Sequence, residues 1–114
     1  MKTLLLIALL ALAFAVPANA VTHPTLTGTV GPGFTITLKK GTAKVTTLKA
    51  GTYNVVINDK SDFHNFHLTG PGVNVKTSVG FQGTKTFTVT LKKGTYRFVC
   101  DPHATSMKGS FKVS

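Results

Sequence analysis

From residue 25 onward, apolar and polar positions alternate with a period of two, which predicts strands with one buried face. Glycine-rich turns separate these segments about every eight to twelve residues, and no run of ten residues after residue 20 has helical periodicity. The pattern predicts an all-β fold, a Greek-key two-sheet sandwich of about seven or eight short antiparallel strands. The apolar positions that define it are Phe34, Ile36, Leu38, Tyr53, Val55, Ile57, Phe87, Val89, Leu91, Phe111 and Val113.

Two segments of the chain resemble each other. LKAGTYNVVIND at 48–59 and LKKGTYRFVCD at 91–101 share a Leu-Lys-x-Gly-Thr-Tyr turn and enter a strand in the same register. Two such units in one small sandwich end at the same pole, so we expect the loops that follow Ile57 and Cys100 to be neighbours.

Residues 1–20 have the composition of an export signal. Lys2 precedes an apolar run from Leu4 to Val16, and Ala18-Asn19-Ala20 has the small-x-small form of a cleavage site. The apolar run, about thirteen residues, is too short to span a bilayer comfortably. We expect 1–20 to be a cleaved signal peptide and 21–114 a single exported domain, in the periplasm or at the cell surface.

The predicted mature domain is strongly basic. Removing Lys2 leaves twelve Lys and Arg against three acidic residues, a formal charge of +9. This charge favours an acidic partner protein or weak association with an anionic surface. The lysines are dispersed rather than clustered, which together with export argues against nucleic-acid binding. A solvated surface without a specific partner is the alternative, and we expect a monomer.

Cys100 is the only cysteine, so it cannot form an intramolecular disulfide. Strand alternation predicts that its sulfur points to the core with Tyr96 and Phe98. His103 follows at the third position and Met107 four positions later, in the loop after the strand.

Two further histidines lie upstream in the sequence SDFHNFHL. Alternation would place His64 on one face with Phe66, and Asn65 on the other face with His67. Only one of the two histidines can therefore share a face with the apolar side chains.

A thiolate, two imidazoles and a thioether are soft donors, the combination found in trigonal electron-transfer copper sites with a weak axial methionine. A thioether ligand would add little to the affinity of a zinc site, which is normally formed by Cys, His or carboxylate. Binding to a metal in the core would also protect an exported thiol from oxidation. The residue set therefore indicates copper.

The sequence CDPHATSMKGSFKV after the strand GTYRFV, with HNFHL about forty residues earlier, resembles the cupredoxins, the small blue copper proteins. The resemblance implies a cupredoxin-like sandwich with one copper ion held by His64, Cys100, His103 and Met107. It selects His64 over His67 because Asn65 follows it directly. It further implies that Asn65 forms a hydrogen bond near the cysteine sulfur and ties the two loops together.

The resemblance implies a type 1 copper protein that carries single electrons between Cu(I) and Cu(II) and is not an enzyme. Electrons would enter through the His103 ring edge, and an apolar docking rim would surround it. The resemblance implies that Pro102 and Ala104, together with Phe66 or Pro71, form this rim. It also implies that Asn65, Phe66 and Pro102 lie next to the ligands. The acidic residues show no paired spacing for acid–base catalysis.

Two other functions remain open at this point. One is a copper-binding or copper-delivery protein outside the cytoplasm, and the other is a copper-free basic sandwich that binds acidic cell-wall polymers. A second copper site is also conceivable, since cleavage after residue 20 would create the amino terminus Val21-Thr22-His23. A free amine with histidine third binds Cu(II) or Ni(II) in a square plane; the alternative is a disordered tail.

Overall fold

In the computed structural model, residues 22–114 are described, and they form two packed β-sheets. The predicted signal peptide and Val21 lie outside these residues. One 3-10 helix, Asp101–His103, follows the ninth strand. The ten strands of the described part are β1 Thr25–Val30, β2 Ile36–Lys40, β3 Ala43–Lys44, β4 Thr47–Leu48, β5 Gly51–Asp59, β6 His67–Gly70, β7 Val73–Lys76, β8 Gly83–Leu91, β9 Gly94–Val99 and β10 Lys108–Val113.

Each sheet contains five strands. The first has the order β3-β2-β1-β5-β8, and the second has the order β4-β10-β9-β6-β7. The predicted all-β two-sheet sandwich is confirmed. Within residues 22–114, eight strands have four or more residues. The other two, β3 and β4, are two-residue strands at the sheet edges.

The pairing differs from the antiparallel arrangement expected from the sequence. β1 runs parallel to β5, from Thr25 opposite Asn54 to Val30 opposite Asp59, and β4 runs parallel to β10. Both sheets are therefore mixed. Alternation of apolar residues sets which side of a strand is buried, but it carries no information about which strand lies beside it.

The core lies between the inward faces of the two sheets. β5 has the expected alternation, with Tyr53, Val55 and Ile57 buried. Aromatic rings from the second sheet stack across the same space, with Tyr96 and Phe111 5.3 Å apart between ring centroids. The burial of these residues accounts for the period of two in the sequence.

The two similar segments adopt the same local structure in opposite sheets. Tyr53 donates its hydroxyl to the carbonyl of Lys49 at 2.7 Å, and Tyr96 donates to the carbonyl of Lys92 at 3.1 Å. Each tyrosine lies two residues after a glycine with positive φ, Gly51 or Gly94. The β5 and β9 strands that follow end at the same pole, which confirms that the loops after them are neighbours.

Phe34 is an exception to the sequence prediction. It lies outside β2, in the turn closed by the hydrogen bond from the Gly31 N–H to the Thr35 carbonyl at 2.9 Å. Its side chain is 63% exposed. Phe34 therefore belongs to the loops at the pole and not to the core. Among the described residues, no helix has the length and apolar character needed to cross a membrane.

Candidate metal centre

Three soft donor side chains meet where the loops after β5 and β9 converge. Cys100 Sγ lies 3.6 Å from His64 Nδ1 and 3.5 Å from His103 Nδ1, and the two nitrogens are 3.1 Å apart. Typical transition-metal bonds of about 2.0–2.3 Å would place such donors about 3.5 Å apart around one ion. The triangle therefore has the size that a single metal ion requires.

Cys100 follows the last residue of β9 and continues the inward face of that strand. Its side chain is fully buried, as are those of Tyr96 and Phe98 before it, which confirms the predicted orientation. The backbone N–H of Asn65 points at the sulfur, with a nitrogen–sulfur distance of 3.5 Å. The sulfur is thus shielded from solvent and approached by a donor from the opposite loop.

The segment 100–107 is a closed loop. The N–H of His103 donates to the Cys100 carbonyl at 3.0 Å, and the N–H of Cys100 donates to the Met107 carbonyl at 3.0 Å. Pro102 lies in the first turn of the 3-10 helix and restricts its backbone. Met107 is 1% exposed, and its N–H donates to the His103 carbonyl at 2.8 Å. Backbone hydrogen bonds within the loop therefore keep Cys100, His103 and Met107 close together.

His64 comes from the irregular segment between β5 and β6, and its ring is fully buried. Its Nδ1 faces Cys100 and His103, while its ring packs against Phe63 with centroids 4.2 Å apart. The ring orientation is therefore set by packing on one side and by the donor triangle on the other.

Asn65 joins the two loops through its side chain. Its Oδ1 accepts the backbone N–H of Asp101 at 2.7 Å, and its amide nitrogen donates to Asp101 Oδ2 at 2.8 Å and to the Thr77 carbonyl at 3.2 Å. Asn65 is 1% exposed, so its side chain is shielded from water although Asp101 is exposed. The expected connection between the loops is present.

His67 is turned away from the donor triangle. Its Nδ1 lies 2.9 Å from Asp101 Oδ1, and its Nε2 lies 2.7 Å from Asn74 Oδ1. The expected alternation of His64, Asn65 and His67 is wrong in one respect, because Asn65 is buried. β6 begins only at His67, so the residues before it do not follow the strand period.

The pKa values of two carboxyl groups near the site are shifted in opposite directions. Burial alone would raise the pKa of Asp101, but hydrogen bonds from His67 and Asn65 outweigh it and lower the pKa. Burial raises the pKa of Asp59, and the Ser61 N–H and the charge of His64 offset only part of that rise. The pKa of Asp101 therefore lies below the usual value for an aspartate, and the pKa of Asp59 lies above it.

Two exposed aromatic side chains border the histidines. The Phe34 ring lies 4.9 Å from the His103 ring and 5.4 Å from the His64 ring, between centroids. Phe63 is 46% exposed and packs on His64. Sequence reasoning missed both. The Gly31-Pro32-Gly33 turn directly before Phe34 is the signal that this residue does not belong to a core strand.

Two residues expected in the docking rim lie elsewhere. Phe66 is 1% exposed and stacks on Phe98 in the core at 5.5 Å, so its assignment to an exposed docking rim is wrong. Pro71 follows β6 and packs beside Gly94, at the start of β9 and therefore at the pole away from Cys100. Both errors arise because proximity along the chain was taken for proximity in the fold.

A family model described as a cupredoxin-like domain matches residues 4–113. The chain is a cupredoxin. No match was found among curated proteins. Solved structures of rusticyanin are similar to this cupredoxin. One, described as a copper protein, has 22% identity and a TM-score of 0.60, with 82% of this chain and 80% of that chain covered.

Two further rusticyanin structures have comparable likeness to the cupredoxin. Reduced rusticyanin has 26% identity and a TM-score of 0.55, with 82% of both chains covered. Rusticyanin from Thiobacillus ferrooxidans has 25% identity and a TM-score of 0.55, with 82% of this chain and 79% of that chain covered. The likeness therefore extends over most of the sandwich of each protein.

Proposed function

We propose that this cupredoxin is an exported type 1 copper protein that carries single electrons, with His64, Cys100, His103 and Met107 as its copper ligands. The observation that carries the proposal is the triangle of Cys100 Sγ and the two Nδ1 atoms, with sides of 3.1–3.6 Å. A thiolate with two imidazoles is a ligand set suited to copper. The similarity to a copper protein supports the same metal.

Bound copper would supply a one-electron couple between Cu(I) and Cu(II). The chain's part is to hold the donors in one arrangement for both oxidation states. The backbone bonds within 100–107 and the Asn65 side chain between the loops restrict movement of the donors. Met107, buried in the same closed loop, is the residue we assign as the thioether ligand.

We assign the His103 ring edge as the point of electron entry. Its side chain is partly exposed, whereas those of His64, Cys100 and Met107 are buried. Phe34 provides apolar surface on one side of the His103 ring. Pro102 and Ala104 are exposed and lie next to His103 along the chain. An apolar surface around a redox centre lets a partner approach closely and exclude water.

The expected partner is an acidic protein, because the domain after residue 20 carries a formal charge of +9. Long-range attraction raises the rate of encounter with such a partner. The proposed location is the periplasm or the outer cell surface, with the domain monomeric and in weak contact with anionic surfaces.

The test is a visible spectrum of the purified domain after addition of one equivalent of Cu(II). Intense absorption from the copper–thiolate bond that disappears reversibly on reduction is expected for wild type and not for Cys100→Ser. A colourless protein would contradict the assignment. Tight Cu(I) binding with slow redox cycling would instead indicate copper delivery, and binding to acidic wall polymers that survives Cys100→Ser without colour would indicate the copper-free function.

A further inference from the structure

Behind His64, on the side away from Cys100, lies a group of buried polar atoms that the donor triangle does not use. Within residues 22–114, three buried side-chain atoms have no hydrogen-bond partner, and all lie between the last residue of β5 and His64. They are Asp59 Oδ2, Ser61 Oγ and His64 Nε2. Buried polar atoms normally have hydrogen-bond partners, so three unpartnered atoms within six residues require an explanation.

Ser61 and His64 border one space, and Asp59 contacts Ser61. A Cβ placed on Gly31 would lie 3.0 Å from Ser61 Oγ and 3.2 Å from His64 Cδ2, which is bonded to Nε2 in the ring. Asp59 lies next to Ser61, because its Oδ1 accepts the Ser61 N–H at 3.1 Å. The Cδ2 edge of the His64 ring and the Ser61 hydroxyl therefore border the same space beside Gly31, and the Asp59 carboxylate is hydrogen-bonded to the Ser61 backbone.

The backbone fixes this arrangement. Asp59 lies opposite Val30 in the parallel β1–β5 pair, and the Lys60 N–H donates to the Val30 carbonyl at 2.9 Å. Gly31 has φ of +72° and no side chain, which leaves space between β1 and the His64 ring. A side chain at this position would displace Ser61 or the ring edge.

A histidine that binds a metal through one ring nitrogen usually donates its other N–H to a carboxylate, a carbonyl or water, and this fixes the tautomer and the ring orientation. His64 Nδ1 points into the donor triangle, so Nε2 must carry the proton when Nδ1 is a ligand. Among the described residues, Asp59 Oδ2 is the buried carboxylate oxygen without a partner, and it is the acceptor best suited to this proton.

We propose that Asp59 is a positioning residue for His64: its carboxylate receives the Nε2–H hydrogen bond through the Ser61 hydroxyl or one bound water molecule, leaving Nδ1 free for the metal. This inference rests on the proposed ligand role of His64. It extends that proposal, because it adds a residue that acts through His64 and does not touch the metal.

The first test is the tautomer of His64 in the ¹⁵N-labelled apoprotein, from ¹H–¹⁵N correlation spectra of the ring. The Nε2–H tautomer is expected for wild type, and a mixture of tautomers for Asp59→Asn. Asp62→Asn is the matched control, because it removes an equal charge from an exposed position in the same loop and should behave as wild type. An Nδ1–H tautomer in wild type would overturn the proposal.

The second test is the affinity for Zn(II) and Cu(II) by competitive titration. Loss of an outer partner of a metal-binding histidine typically weakens binding by about 10–100-fold, and this loss is expected for Asp59→Asn but not for Asp62→Asn. Equal affinities for the two variants would contradict the inference. Ser61→Ala distinguishes the routes, because its affinity falls if the hydroxyl is the link and is retained if water is.

The outcomes separate this inference from the proposed function. A colourless copper complex with an Nε2–H tautomer and an Asp59-dependent Zn(II) affinity would remove the electron-carrier proposal and leave the role of Asp59 intact. A blue complex with an Nδ1–H apoprotein tautomer would do the opposite. If Asp59→Asn fails to fold, the wild-type tautomer still decides.

Discussion

The side-chain oxygen of Asn65 accepts the backbone N–H of Asp101 at 2.7 Å, although the two residues are 36 positions apart. This bond connects the residue after His64 to the residue after Cys100. The two loops that carry the proposed ligands are not themselves paired as strands, and this hydrogen bond holds them together. The amide also donates to Asp101 Oδ2 and to the Thr77 carbonyl, so one side chain makes three hydrogen bonds.

Asn65→Ala should lower the free energy of unfolding of the apoprotein by about 1–3 kcal/mol, because the Asp101 N–H and the carbonyl of buried Thr77 lose their partner. Urea unfolding followed by circular dichroism measures this change. Asn58→Ala is the control, since its side chain bonds the exposed Thr84 hydroxyl. Equal stability of the two variants would show that the link between the loops contributes nothing to folding.

Phe34→Ser should slow electron exchange with a protein partner by about five- to tenfold, because loss of an aromatic contact at an interface costs about 1 kcal/mol or more. The side chain is 63% exposed, so stability should change by no more than about 0.5 kcal/mol. Stopped-flow kinetics measures the rate. Val79→Ala, another exposed apolar position, is the control, and the docking surface is misplaced if the two variants react equally.

The rate with an acidic partner should fall as ionic strength rises from about 0.01 M to about 0.15 M, because the screening length shrinks from about 30 Å to about 8 Å. A formal charge of +9 after residue 20 provides the attraction that salt removes. The same titration with an uncharged small oxidant should be flat. A rate that rises with salt would contradict an acidic partner.

Asp101→Asn should flatten the acid limb of the stability curve. The pKa of Asp101 is lowered in the folded state, so its contribution is present above its unfolded pKa of about 3.9 and is lost as pH falls through the lower folded value. Thermal unfolding of the apoprotein between about pH 2 and pH 5 measures this. Asp62→Asn is the control, and identical acid limbs for the two variants would exclude the effect.

Gly109→Ala should destabilise the fold by about 1–3 kcal/mol, because the added Cβ would overlap the Phe98 ring. The matched control is Gly80→Ala, where nothing lies within 4 Å of the new atom. Thermal unfolding distinguishes them. A neutral Gly109→Ala would mean that the core can move aside at this point.

The sequence predicted the parts of the fold that depend on a local period. The burial of Tyr53, Tyr96 and Cys100 follows from alternation along single strands. Phe34 was misplaced because the same alternation continues into a turn, where backbone hydrogen bonds and not the period set its direction. The parallel pairs were missed because pairing depends on contacts between distant segments.

The candidate site was only partly accessible from the sequence. The spacing of Cys100, His103 and Met107 indicated a ligand loop, but the choice between the upstream histidines relied on resemblance to a family. Asp59 and Ser61 carried no recognisable motif. Their relation to His64 depends on how β1 and β5 lie side by side, which appears only in three dimensions.

The parallel contact between β4 and β10 has a consequence for how the chain folds. Lys112 lies opposite Thr47, sixty-five positions earlier, and the Ser114 N–H donates to the Leu48 carbonyl at 3.0 Å. Contacts across such separations make folding slow, because a large loop must close before they form. A ribosome-bound chain that lacks residues 108–114 cannot complete its second sheet, because β10 lies between β4 and β9. The second sheet therefore stays incomplete until these residues have been synthesised.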